Sequence, residues 1–174
     1  MTKFIVSGAI FEKQYFGGIS RLWAYLCCEF QRQSIDFEID TVPQKIKTQF
    51  SIPLDRISKN RTQRLMGSYI LLGHPSKKYF LTHWQICLLS RWTVVVCHDL
   101  MNEKKLSKWH PQILFQRLVY HRAHRIIAIS EKTRDEFKKY YPQMEKKIRI
   151  IENPLMINLT LKDGINNNSA EQKK

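Results

Sequence analysis

Val94-Val95-Val96, at the centre of the charge-free run Trp92–Cys97, constrains this chain more than any other feature. An unbroken β-branched run predicts an extended strand that is covered on both faces, as parallel strands are. Such a strand needs packing layers above and below it, and the flanking sequence supplies them. Lys3–Ile10 predicts a first strand, apolar on both faces, with Gly17-Gly18 breaking it into a turn. Ile19–Phe30 places Ile19, Leu22, Trp23, Leu26, Cys27 and Phe30 on one face at helical spacing. Ile35–Val42 predicts a second strand, a helix is expected within Ile57–Leu72, and Tyr79–His83 reads as a short strand.

Pro111 suits the first turn of a helix running to about Ala123, and Arg125–Ser130 reads as another parallel-type strand. Ser130 can cap a helix Glu131–Tyr141 whose first turn carries acids, and Lys147–Ile151 predicts a last strand. Strand and helix in repetition predict an α/β fold with a doubly wound, mainly parallel sheet. At 174 residues the chain has length for one core, expected over 1–155. Residues 156–174, with Asn166-Asn167-Asn168 and a polar end, read as a linker or disordered tail.

Lysine and arginine number 29 against 15 acids, a net charge of +14. That surplus favours an anionic partner: nucleic acid, a phosphate-bearing small molecule or an acidic membrane surface. Pro43–Lys78 alone holds eight cations against Asp55 and is expected to dock on anionic lipid, the alternative being a solvated face. Cys27, Cys28, Cys87 and Cys97 form no C-x-x-C pair, so buried thiols in a reducing compartment are expected. No stretch reaches the length of a membrane span, and the apolar run behind Lys3 is cut short by Glu12 and Lys13. The expected location is cytoplasmic, peripheral at the inner face of a membrane.

In an open parallel sheet, ligands bind at the carboxyl ends of the strands. Gly17 and Gly18 open a helix there, where free N–H groups favour a phosphate; the alternative is a turn that needs positive φ. His98 follows the valine strand and can donate to a hydroxyl or stabilise developing charge, with Asp99 orienting it or capping the next segment. The alternative is a loop histidine beside an Asx turn. His83 ends the preceding strand, and Ser130 the following one. These groups are expected to converge on one edge, with the His98 ring partly exposed. His121 and His124 lack a third ligand, so no metal site is expected. Trp23, Trp84, Trp92 and Trp109 are expected in the core or a binding groove. No helix-turn-helix, RRM or zinc signature supports nucleic-acid binding.

Several segments together resemble the family-4 (group 1) glycosyltransferases. Gly17-Gly18-Ile19-Ser20-Arg21 is similar to that family's glycine-rich loop, and Val94–Leu100 to its strand ending in His-Asp. Arg122–Thr133 resembles its "RAD-x-I-I-A-V-S-E-x-T" segment, with His124 where Asp is usual, and Lys147–Pro154 its closing "K-I-x-V-I-x-N" segment. The resemblance implies a Rossmann-like domain, the acceptor-side half of a GT-B architecture, facing a nucleotide-sugar domain across a cleft. It implies a nucleotide sugar as substrate, a glycan or lipid-linked acceptor, retention of configuration, and no obligatory metal or other cofactor. Carried over by position, Gly17 and Gly18 lie against the donor diphosphate, His98 with Asp99 serves catalysis, and His83 and Ser130 line the cleft. The donor half itself is not in this sequence, so a truncated product, a fragment or one chain of a two-chain enzyme are all open. The chain alone is expected not to transfer sugar. The competing expectation is a basic, non-catalytic module that binds nucleic acid or a partner chain.

Overall fold

The computed structural model describes residues 4–13, 17–40, 62–65 and 68–151. The predicted tail and most of Pro43–Lys78 lie outside them. Six strands form one parallel sheet in the order β2-β1-β5-β7-β8-β9. These are β1 (Phe4–Val6), β2 (Phe37–Ile39), β5 (Lys78–Thr82), β7 (Thr93–Cys97), β8 (Arg125–Ala128) and β9 (Ile148–Ile150). A smaller sheet joins β3 (Thr62–Leu65), β4 (Ser68–Leu71) and β6 (Gln85–Cys87), with β3 antiparallel and β6 parallel to β4. The chain steps outward from β1 to β2, then returns to the other side of β1 as β5. The switch point therefore lies between β1 and β5.

Alternation along the strands builds two cores. Ile5, Leu81, Val95, Cys97 and Ile126 point to one side, packing with α4 (Pro111–Arg122), α5 (Glu131–Tyr140) and the small sheet. Val6, Phe80, Val96 and Ile127 point to the other, against α1 (Ala9–Lys13) and α2 (Gly18–Arg32). This two-sided burial is why the strands read as continuous apolar runs. The rings of Tyr120 and Phe137 pack edge to face with centroids 5.0 Å apart, which ties α4 to α5. Pro111 stands in the first turn of α4, and the His110 side chain accepts from Gln112 N–H at 3.2 Å.

Four expectations are corrected. The first strand ends at Val6 and Ala9–Lys13 is helical, so Ser7-Gly8, not Gly17-Gly18, follows it directly. The described residues of the predicted helix within Ile57–Leu72 are strands instead, because β4 finds β6 as a partner, with Leu71 opposite Cys87. Of the four thiols, Cys28 is exposed; Cys27, Cys87 and Cys97 are buried, and burial pushes Cys27 and Cys97 up to about 12. Trp23 is fully buried, whereas Trp92 and Trp109 stand in solvent.

Gln116 on α4 is buried, and neither atom of its amide has a hydrogen-bond partner among the described residues. Burying an unpaired amide costs about 1–3 kcal/mol. Gln116→Met, nearly the same shape, is expected to raise the urea midpoint by the equivalent of about 1 kcal/mol. A clear loss of stability would show that the amide is satisfied.

Candidate functional site

All six parallel strands end on one edge, where Ser7 follows β1, Thr82 closes β5 opposite Val96, and His98 lies two residues beyond Val96. Hydrogen bonds lock the switch point. Ser7 N–H donates to Phe80 O at 2.9 Å. The Gln85 side chain donates to Ser7 Oγ, while its Oε1 accepts from Thr82 N–H at 3.1 Å and Thr82 Oγ–H at 3.0 Å. Gly8 N–H donates to Asp40 Oδ1 at 2.6 Å, joining the ends of β1 and β2. All of these side chains are buried. The floor of the edge is thus fixed before any ligand arrives, as a preorganised site requires.

His98 stands one residue past β7. Its ring centroid lies 5.7 Å from that of Trp23 and 6.2 Å from that of His83. The expected part-exposed ring is not found: His98 is 7% exposed, because α2 brings Trp23 against it. Burial holds its imidazole down, from 6.5 to about 4, against the opposing pull of the Asp99 carboxylate. The ring is therefore neutral at physiological pH. Its Nε2 is buried and has no hydrogen-bond partner among the described residues, and neither does the indole Nε1 of Trp23. Two unpartnered polar nitrogens on neighbouring rings mark this spot as the least satisfied on the edge.

The other predicted residues divide. His83 is buried, its ring tilted against that of Trp84 with centroids 4.2 Å apart, and it neighbours the His98 ring. Asp99 is exposed; its Oδ1 accepts from Met101 N–H at 3.2 Å, an Asx turn that leads into α3 (Met101–Lys105), whose N-cap position is Leu100. Among the described residues it makes no hydrogen bond to the His98 ring. Ser130 Oγ accepts from Thr133 N–H at 3.1 Å and caps α5. Thr133 Oγ–H in turn donates to the His98 carbonyl at 3.5 Å, linking the ends of β8 and β7.

Gly17 precedes α2 with φ 176°, an extended backbone open to any residue, so no positive φ requires a glycine there. Among the described residues, a Cβ added at Gly18 would meet nothing within 4 Å. The first turn of α2 is thus open to approach, and no acid occupies it. Because β1 and β2 are parallel, the connecting α2 starts at the carboxyl edge. Its first residue stands roughly 8 Å along the axis from the Trp23 that touches His98.

Ser7, Asp40, Gln85 and Thr133, which tie the strand ends together, were not singled out in the sequence, whereas Trp23 was expected in the core or a binding groove and lies against His98. Only Thr133 left a local signal, three residues after a capping serine. The chain matches a sequence model of Glycosyltransferase Family 4 over residues 16–158. No curated protein and no solved structure matches it.

Proposed function

Because the chain belongs to glycosyltransferase family 4, we propose that it is the acceptor-side half of a retaining sugar transferase that uses a nucleotide sugar. The reaction belongs to the assembly of a cell-surface polysaccharide or glycolipid, on a glycan or lipid-linked acceptor. The donor half comes from a further domain or a separate chain. Transfer proceeds without an obligatory metal.

The observation that carries this reading is the buried, neutral His98, packed against Trp23 of α2, whose Nε2 has no partner among the described residues. A sugar leaving its diphosphate develops positive charge at the anomeric carbon. An imidazolium would repel that charge; a neutral ring tolerates it and still hydrogen-bonds a sugar hydroxyl. The diphosphate carries the opposite charge, and the open first turn of α2 at Gly17 and Gly18 offers N–H groups and a positive helix end to receive it. His83 and Ser130 line the cleft. Asp99 acts through the loop, by the Asx turn that leads into α3. Among the described residues no helix is long and apolar enough to cross a membrane. The protein works peripherally at the inner face of a membrane, in the cytoplasm.

The protein, purified with whatever it associates with in its own cells, is expected to move label from one nucleotide sugar of a panel into membrane-extracted acceptor. Label that stays in the nucleotide sugar across the panel would contradict the reading. Gly18→Ala gives a sharper view. Its Cβ meets open space, so the unfolding temperature should hold or rise slightly. If the diphosphate lies against this turn, KM for the nucleotide sugar should rise about tenfold. An unchanged KM would remove Gly18 from the donor site.

A further inference from the structure

Six large apolar side chains stand in solvent on the flank formed by α4 and the ends of β4 and β6. Leu72, Leu88, Leu89, Trp92, Leu114 and Leu118 are each 41–62% exposed. Leu89 N–H donates to Leu72 O at 3.0 Å, and Trp92 follows three residues on, its ring against that of His124 just past the end of α4. The Arg122 guanidinium donates to Leu88 O, which holds the end of α4 against the same segment. Leu118 and Leu114 lie one and two turns back from Arg122 on one helical stripe. A contiguous apolar strip of this kind marks an interaction surface.

Its border is cationic. Arg91 lies between Leu89 and Trp92 and is exposed, as are Arg122, Arg125 and Lys78. A two-fold contact with a second copy would set Arg91 and Arg122 against their own images. An uncharged partner would leave them without complement. We infer that this flank docks on an anionic lipid bilayer, the leucines and Trp92 entering the headgroup–acyl boundary while the arginines meet lipid phosphates. The assignment presupposes the peripheral membrane position proposed above, but not the sugar-transfer chemistry.

Co-sedimentation with vesicles tests it, using phosphatidylcholine alone and phosphatidylcholine mixed with phosphatidylglycerol. The wild-type chain should bind the mixed vesicles roughly tenfold or more tightly, and lose that preference at high salt. Leu88→Ser with Leu118→Ser should weaken binding about tenfold, and Arg91→Glu about as much. These positions are exposed, so the unfolding temperature should stay near wild type; Arg91→Glu, which touches no apolar packing, guards against a folding artefact in the leucine pair. Wild-type affinity in both variants would overturn the surface while leaving membrane attachment standing. Failure of the wild-type chain to bind either vesicle would overturn both. Retention on an acidic protein matrix without vesicle binding would reassign the flank to a protein partner and overturn the lipid assignment.

Discussion

Acidification from pH 6.5 towards 4 is expected to remove on the order of 3 kcal/mol of stability through His98 alone. The ordinary imidazole of the unfolded chain takes up its proton near 6.5, whereas burial holds the folded ring down to about 4. Between those values the unfolded state binds a proton that the folded state refuses. The stability is therefore whole above 6.5, falls at up to about 1.4 kcal/mol per pH unit, and loses nothing more from this group below 4. Glu103 works in the opposite sense, since burial raises its carboxyl despite the hydroxyl of Tyr141 donating to it at 2.8 Å. The slope that belongs to His98 is thus the difference between wild type and His98→Gln, each followed by urea unfolding across this range. Parallel curves for the two proteins would show that the ring titrates normally and is not shielded.

The second large effect lies away from the edge. Gly73 has φ +73°, and a Cβ there would run into Cys87 Sγ and stand 3.3 Å from Tyr79 ring atoms. Its neighbour His74 donates from its backbone to the Tyr79 hydroxyl at 2.8 Å, so this turn is built into the join between β4 and β5. Left-handed backbone costs an alanine about 1–2 kcal/mol, and overpacking adds roughly 1–3. The stiffer unfolded chain returns less than 1. Gly73→Ala should therefore destabilise the protein by about 2–4 kcal/mol. Adding Cys87→Ala should relieve the steric part and leave the backbone part, a non-additivity that a double-mutant cycle reads directly. A loss below about 1 kcal/mol in Gly73→Ala would mean that the turn rearranges freely.

What could be read beforehand follows from which interactions are local. β7 and β8 declared themselves because burial on both faces leaves no polar period, and α4 and α5 because Pro111 and Ser130 mark helix starts within a few residues. The family resemblance rested on the same segments, and the match over 16–158 bears it out. The apolar run Phe4–Phe11 was ambiguous: period alone does not separate a buried strand from a buried helix, and the chain uses both. The small sheet was hidden for a different reason. Leu71 meets Cys87 across 16 residues, and nothing in the sequence around Leu71 announces that partner. The site shows the contrast most sharply. His98 was visible at its strand end, but its burial depends on Trp23 from another helix, and the bond between Ser7 and Gln85 spans 78 residues.

The central claim is that a neutral His98, held at the carboxyl edge beside α2, serves sugar transfer. Its most direct test is the rate at which His98→Ala moves sugar from the nucleotide donor to acceptor, compared with wild type in the same cellular assembly. Loss of a catalytic group of this kind should lower kcat by about a hundredfold or more, with the variant still showing a cooperative unfolding transition. Transfer at the wild-type rate by folded His98→Ala would contradict the account.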